Sequence, residues 1–181
     1  MRTTFHRSFS LLAAGMATSL CLPATASADA GLVARQEKGK AVFATCAACH
    51  GMDGKGLPTT PPMAPPLVGS KLATGPAEVA TTIVLKGVQK TDSKYIGMML
   101  PLAATLTDEQ LADVLTYIRT SLNSAPAVAA DDVKKWREKY KDIATPLSRA
   151  TYEKKAEALS KAASATTSNP TTTTDGAATT K

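Results

Sequence analysis

Apolar positions along this chain recur with helical spacing, and the clearest run follows Thr107. Leu111, Val114, Leu115, Ile118 and Leu122 fall three and four apart, which predicts a helix over 108–122 with one buried face. Thr107 and Gln110 have the spacing of a capping box, and Asp108 and Glu109 put negative charge where the helix dipole favours it. A weaker stripe over 31–43 contains Leu32, Val33, Arg35, Gln36, Val42 and Phe43 and is interrupted by Gly39. A glycine there costs roughly 1 kcal/mol relative to alanine, and its use would be to let a second helix cross closely, with Phe43 one turn further on the same face. A short helix is expected from Pro76 to about Lys86, with Pro76 at the first position, Glu78 at the positive end and Gly87 as the stop.

Between these segments, residues 51–73 hold Gly51, Gly54, Gly56, Pro58, Pro61, Pro62, Pro65, Pro66 and Gly69, so that stretch is irregular chain with a specific path. Beyond the break at 123–126, a helix over 131–141 would set Val133, Trp136 and Tyr140 on one side and lysines on the other. Packing of Trp136 and Tyr140 back onto the rest of the molecule is the default. A third, charged helix is expected over 148–160. From 162 to 181 the composition collapses to Thr, Ala, Ser, Asn and Gly, and such a tail cannot offset its ordering entropy, so it is expected to be disordered. No strand-like alternation of any length and no internal repeat occurs, and the class is all-α.

The first residues change how much of the chain must be folded. Arg2, His6 and Arg7 precede the apolar run 11–22, followed by Pro23 and the triplet Ala26-Ser27-Ala28, the layout of a secretory signal peptide over 1–28 with cleavage after Ala28. Twelve apolar residues are too few to span about 30 Å of hydrocarbon, so stable membrane insertion is not expected. Removal of 1–28 takes away Cys21 and His6 and leaves two cysteines and one histidine, all within 46–50.

Cys46-Ala47-Ala48-Cys49-His50 has the spacing that attaches c-type haem. Two thiols on one helical turn can add to the two vinyl groups of a porphyrin, and the adjacent imidazole then reaches the iron from one side. Structural zinc normally takes four Cys or His ligands, and the mature chain offers three. A thioredoxin-like redox pair would need a strand feeding the motif, and a disulfide here would close a tiny loop and leave His50 unexplained. A low-spin haem iron needs a second axial ligand on the opposite face, and Met52, Met63, Met98 and Met99 are the residues able to supply it. Met52 is too close to His50 to cross the ring, whereas Met63 sits in the Pro-rich loop. Met98 and Met99 follow Tyr95-Ile96-Gly97 in an extended segment that could run along the far face.

Together with these residues, Gly39 and Phe43, CAACHG followed by Asp53-Gly54-Lys55-Gly56, Pro65-Pro66-Leu67-Val68-Gly69, the Met98–Pro101 region and LTDEQLADVLTYIRTSL give a combination that resembles the class I c-type cytochromes, the small exported monohaem modules of bacteria, over 31–123. The resemblance implies an orthogonal helix fold around one covalent haem c, to which the region 131–160 would be a helical C-terminal extension lying outside the core module. It implies that the first and last module helices cross at Gly39 and Phe43 against Leu115 and Tyr117 or Ile118. It implies also that the Pro65 carbonyl accepts the Nδ1–H of His50, and that His50 and a methionine ligate the iron. The family usually places proline directly after that methionine. Here Leu100 takes that place and Pro101 follows, and Met99 is chosen over Met98 on its spacing to Leu102 and the final helix.

Composition agrees with a large buried group, since Phe43, Tyr95 and Tyr117 are the only aromatic residues between Gly31 and Asn123. A His/Met-ligated iron leaves no open position for substrate, so the expected role is a periplasmic one-electron carrier between redox partner proteins, not an enzyme. The other readings are a haem subunit docked to a periplasmic dehydrogenase or oxidase, or a haem ligand sensor. After signal removal 19 basic residues face 15 acidic ones, and most of the excess lies in the C-terminal extension. No nucleic-acid reader motif accompanies the basic balance. Lys55, Lys86, Lys90 and Lys94 lie near loops that could rim a haem edge and steer acidic partners.

Overall fold

The computed structural model of the chain describes residues 25–90 and 94–167. Most of the expected signal segment and the tail from 168 onward lie outside the described residues. The elements, in chain order, are α1 (Thr25–His50), α2 (Lys71–Thr74), α3 (Ala77–Lys86), α4 (Asp108–Thr116, running on as a π-helical turn Tyr117–Ser121), α5 (Ala130–Lys139) and α6 (Arg149–Thr167). Among the described residues no strand forms, and the only ladder-like pairings are isolated bridges from Val88 to Met99 and to Leu147. The fold is all-α.

The first helix is longer than its apolar stripe suggested. It extends through the cysteines because the inward positions Leu32, Arg35, Gln36, Gly39, Phe43, Ala47 and His50 keep three- and four-residue spacing to its end. Two of them are polar, yet they serve the interface: Arg35 Nε donates to Asp113 (3.0 Å), its Nη2 donates to Thr116 Oγ1 (2.9 Å) and Val128 O, and Gln36 donates to Thr120 (2.8 Å). The stop is Gly51, whose φ of 75° turns the chain out while its N–H caps the Ala47 carbonyl at 2.9 Å.

At the crossing of α1 over α4 the backbones touch. A Cβ on Gly39 would stand 2.0 Å from the Asp113 carbonyl oxygen and 2.8 Å from Tyr117 Cβ, so no other residue fits. The nearest partners are thus Asp113 and Tyr117, not Leu115. One turn on, the Phe43 and Tyr117 rings pack at 5.3 Å between centroids with a 53° tilt. The capping box forms as expected, with Gln110 N–H on Thr107 Oγ1 (3.2 Å) and Thr107 N–H on Gln110 Oε1 (3.0 Å). Phe43, Leu85, Leu111, Val114, Leu115 and Ile118 form the centre of the core.

The extension is docked, in line with the default packing of Trp136 and Tyr140. Val128 and Val133 join the core cluster, Trp136 packs against it, and Tyr152 is fully buried. Arg137 donates to Asp108 (2.6 Å) and to the Ala103 and Leu106 carbonyls, tying α5 to the start of α4. Lys86 corrects one expectation: it is 7% exposed and donates to the Lys141 and Ile143 carbonyls (3.0 and 3.1 Å), so it holds the extension and cannot rim a cofactor edge. The last helix, expected to end near 160, continues to Thr167 into residues assigned to the tail.

Candidate functional site

The last two turns of α1 carry Cys46, Cys49 and His50 to one side of the core. Cys46 is half-buried and Cys49 exposed, and both thiols are free. Burial pushes the Cys46 thiol up, a backbone hydrogen bond opposes this, and the neighbouring Cys49 adds to the rise. His50 Nδ1 lies 2.9 Å from the Pro65 carbonyl oxygen. A carbonyl can only accept, so Nδ1 carries the proton and Nε2 keeps its lone pair. Burial lowers the His50 pKa and the bond to Pro65 only partly offsets it, which favours the neutral ring that a metal needs.

Glycine turns bring Pro65 into place. Gly56 N–H donates to the His50 carbonyl (2.7 Å) and Leu67 N–H to the Gly54 carbonyl (2.7 Å), folding the loop back under the helix end. Asn123 then fastens it from the far side, accepting from Gly69 N–H and donating to the Ile118 carbonyl, each at 2.8 Å.

The facing wall is the segment 95–102. Val88 and Met99 exchange both backbone hydrogen bonds (2.8 and 3.1 Å), and Gly87, at φ 71°, makes room for this, since a Cβ there would meet the Met99 carbonyl oxygen at 2.4 Å. Side chains alternate along the extended segment: Tyr95, Gly97 and Met99 are half-buried, while Ile96, Met98 and Leu100 are exposed. Met99 packs against the core cluster, whereas Met98 is 51% exposed. Met63 reaches the same region, its carbonyl accepting from Gly97 N–H at 3.0 Å.

Between the two walls is a cavity of about 360 Å³, lined by all five residues singled out from sequence: Cys46, Cys49, His50, Pro65 and Met99. Met63 and Met98 border it too. Aliphatic side chains such as Ile83, Val84, Leu102 and Leu115 complete the wall, and its size falls in the range of cofactor sites, roughly 300–1,000 Å³. Among the described residues no three His, Cys, Asp or Glu side chains converge as a bare-metal site. Sequence reasoning missed the contribution of α6, which sends Arg149 and Tyr152 to the cavity lining. Nothing local in the sequence marks either, because the contact depends on how the extension docks.

Residues 36–122 match the family model described as cytochrome c. A cytochrome c-552 from Thermus thermophilus is 34% identical over 120 residues, covering 60% of this chain and 80% of the relative. A second cytochrome c-552 from the same species is 34% identical over 115 residues, covering 58% of this chain and 87% of the relative. The chain belongs to the cytochrome c family. A covalently bound haem c with its iron comes with that membership, as does the role of a monohaem electron carrier acting with redox partners. The cytochrome c cavity fits such a group: two free thiols and a neutral imidazole stand on one wall, an inward thioether on the other, and apolar surface lies between. No described helix is long and apolar enough to cross a membrane.

Proposed function

We propose that this cytochrome c is an exported, periplasmic one-electron carrier. In this reading the chain is cleaved after Ala28, Cys46 and Cys49 hold the haem by thioether bonds, and His50 and Met99 are the axial ligands. The observation that carries the reading is the common cavity, with the Pro65-anchored imidazole on one side and Met99 on the other. A bound haem would supply a one-electron Fe(III)/Fe(II) couple.

The protein's own residues make that couple a carrier's. Pro65 fixes the His50 tautomer and raises its basicity. Met99 offers a soft thioether, which raises the potential, and its backbone pairing with Val88 resists displacement. Leu115, Val84 and Leu102 give the cavity an aliphatic wall that excludes water, and no Asp or Glu lines it. Of the three methionines that border the cavity, Met99 packs against the core cluster and Met98 is half exposed, so Met99 is the ligand that this arrangement favours.

Purified haem-loaded protein should show a far-red charge-transfer band in the ferric state, titrate reversibly with one electron, and resist carbon monoxide. Met99→Ala should lose the band and bind carbon monoxide readily, and Met98→Ala should keep the wild-type spectrum. Fast carbon monoxide binding by the wild type would contradict the carrier reading and favour a ligand sensor.

A further inference from the structure

The cavity opens at one side into a wider groove of about 830 Å³, which lies between the 65–76 segment and α6. The two share Pro65, Pro66, Ser70, Leu72, Tyr95 and Arg149, so these six residues surround the mouth. Of the cationic side chains that line the cavity, Lys90 and Arg149, only Arg149 also lines the groove. No Asp or Glu lines the cavity, whereas Glu153 and Glu157 lie in the groove.

Arg149 is the first residue of α6 and is held firmly. Gln89 donates its N–H to the Leu147 carbonyl (2.8 Å) and its side-chain amide to the Pro146 carbonyl (2.7 Å), while Tyr152 donates to the Gly87 carbonyl (2.7 Å). The guanidinium uses Nε on Glu153 at 2.9 Å. Its two terminal amines make no hydrogen bond among the described residues, so one edge of the fork is available.

Haem c carries two carboxylates, which cannot remain in an aliphatic cavity without a partner. We propose that Arg149 receives one of them at the mouth, through the free edge of its guanidinium. The C-terminal extension is then part of the cofactor site and tunes it electrostatically, with Glu153 holding the arginine in orientation. The inference rests on haem occupying the cavity as read above. A planar guanidinium suits a carboxylate better than an ammonium does. Its positive charge also disfavours the ferric state, so it raises the reduction potential.

The test is redox equilibration of haem-loaded wild type, Arg149→Gln, Arg149→Lys and Glu153→Gln against a dye of known potential, at low salt and at high salt. Far-UV circular dichroism and a pyridine haemochrome assay on each protein report folding and haem content. Arg149→Gln should lower the reduction equilibrium constant about threefold or more, about 30 mV at 59 mV per tenfold for one electron. The fall should persist at high salt, where a field acting through solvent is screened. Arg149→Lys should recover part of it, and Glu153→Gln should shift the constant the opposite way. An unchanged constant in folded, haem-loaded Arg149→Gln would overturn the proposal, and so would a shift that vanishes at high salt. An empty haemochrome in the wild type would overturn the haem reading itself, and this proposal with it.

Discussion

Two contacts hold this cytochrome c together across long sequence separations, and they do so by opposite means. Where α1 crosses α4, shape decides: Gly39 lies against the Asp113 carbonyl, and Phe43 stacks on Tyr117. Where α3 meets α5 and α6, charge decides. Glu78, with a side chain 14% exposed, accepts from Lys139 at 2.8 Å and from the Tyr140 hydroxyl, and Lys155 stands 3.5 Å away. Lys155 also lies over the Tyr140 ring, 3.3 Å from its centroid. Burial pulls the Glu78 carboxyl up, but the hydrogen bonds from Lys139 and Tyr140 and the charges of Lys155 and Lys139 outweigh it and hold the pKa below the usual value. The Gly39–Phe43 contact should therefore tolerate pH and fail on added volume, and the clasp should do the reverse.

Of the helices these contacts join, α1, α3, α4 and α6 line the cavity, so removing what fills it should have the largest effect. A Cys46→Ala, Cys49→Ala variant should lose the covalent haem and most of its helical far-UV circular dichroism, because three aromatic residues between Gly31 and Asn123 cannot fill the module alone. Full native helix in that variant would show that the polypeptide core suffices. Next comes Gly39→Ala, which forces a methyl group onto backbone that cannot retreat. Denaturant titration of the haem-loaded form should give a loss of about 3 kcal/mol, the upper part of the range for overpacking.

On the clasp the effects are smaller. Tyr152→Phe keeps the buried ring but leaves the Gly87 carbonyl without its 2.7 Å donor, and should cost about 1 kcal/mol by the same titration. Glu78→Gln should cost under about 1 kcal/mol at neutral pH, since Lys139 is half exposed. Its signature is the pH dependence. A carboxyl whose folded pKa is depressed stabilises fully above its unfolded value of 4.5 and loses that contribution as pH falls through the folded value. The melting temperatures of wild type and Glu78→Gln should therefore converge below pH 4.5, while the Gly39→Ala difference should persist.

The same contrast explains what was legible in the sequence. The helix beginning at Asp108 and its capping box are local, written in residues three and four apart, and they form as read. The 46–50 motif is legible because the haem attachment proposed for it needs its groups within one turn. The full reach of α1 was not, because its inward face includes Arg35 and Gln36, whose use depends on α4 lying opposite. Packing of the extension was the default for Trp136 and Tyr140, but the contacts that fix it were least legible of all. Its anchors are polar contacts such as Lys86 to Ile143 and Glu78 to Lys139, more than fifty residues apart, and nothing in sequence separates a buried lysine from a solvated one. Arg149 was missed for the same reason. The choice between Met98 and Met99 depends on an alternation set by the pairing of Met99 with Val88, another contact that the two segments create only when folded.

The central claim is that Cys46 and Cys49 bind haem in the cavity that His50 and Met99 face. Intact-mass and peptide mass spectrometry of the protein produced together with a haem-attachment system tests it most directly. The account predicts the mass of one haem added to the chain, retained under denaturing conditions and mapping to the peptide that contains both cysteines. Two unmodified thiols on that peptide, alkylated in full by a thiol reagent, would contradict it.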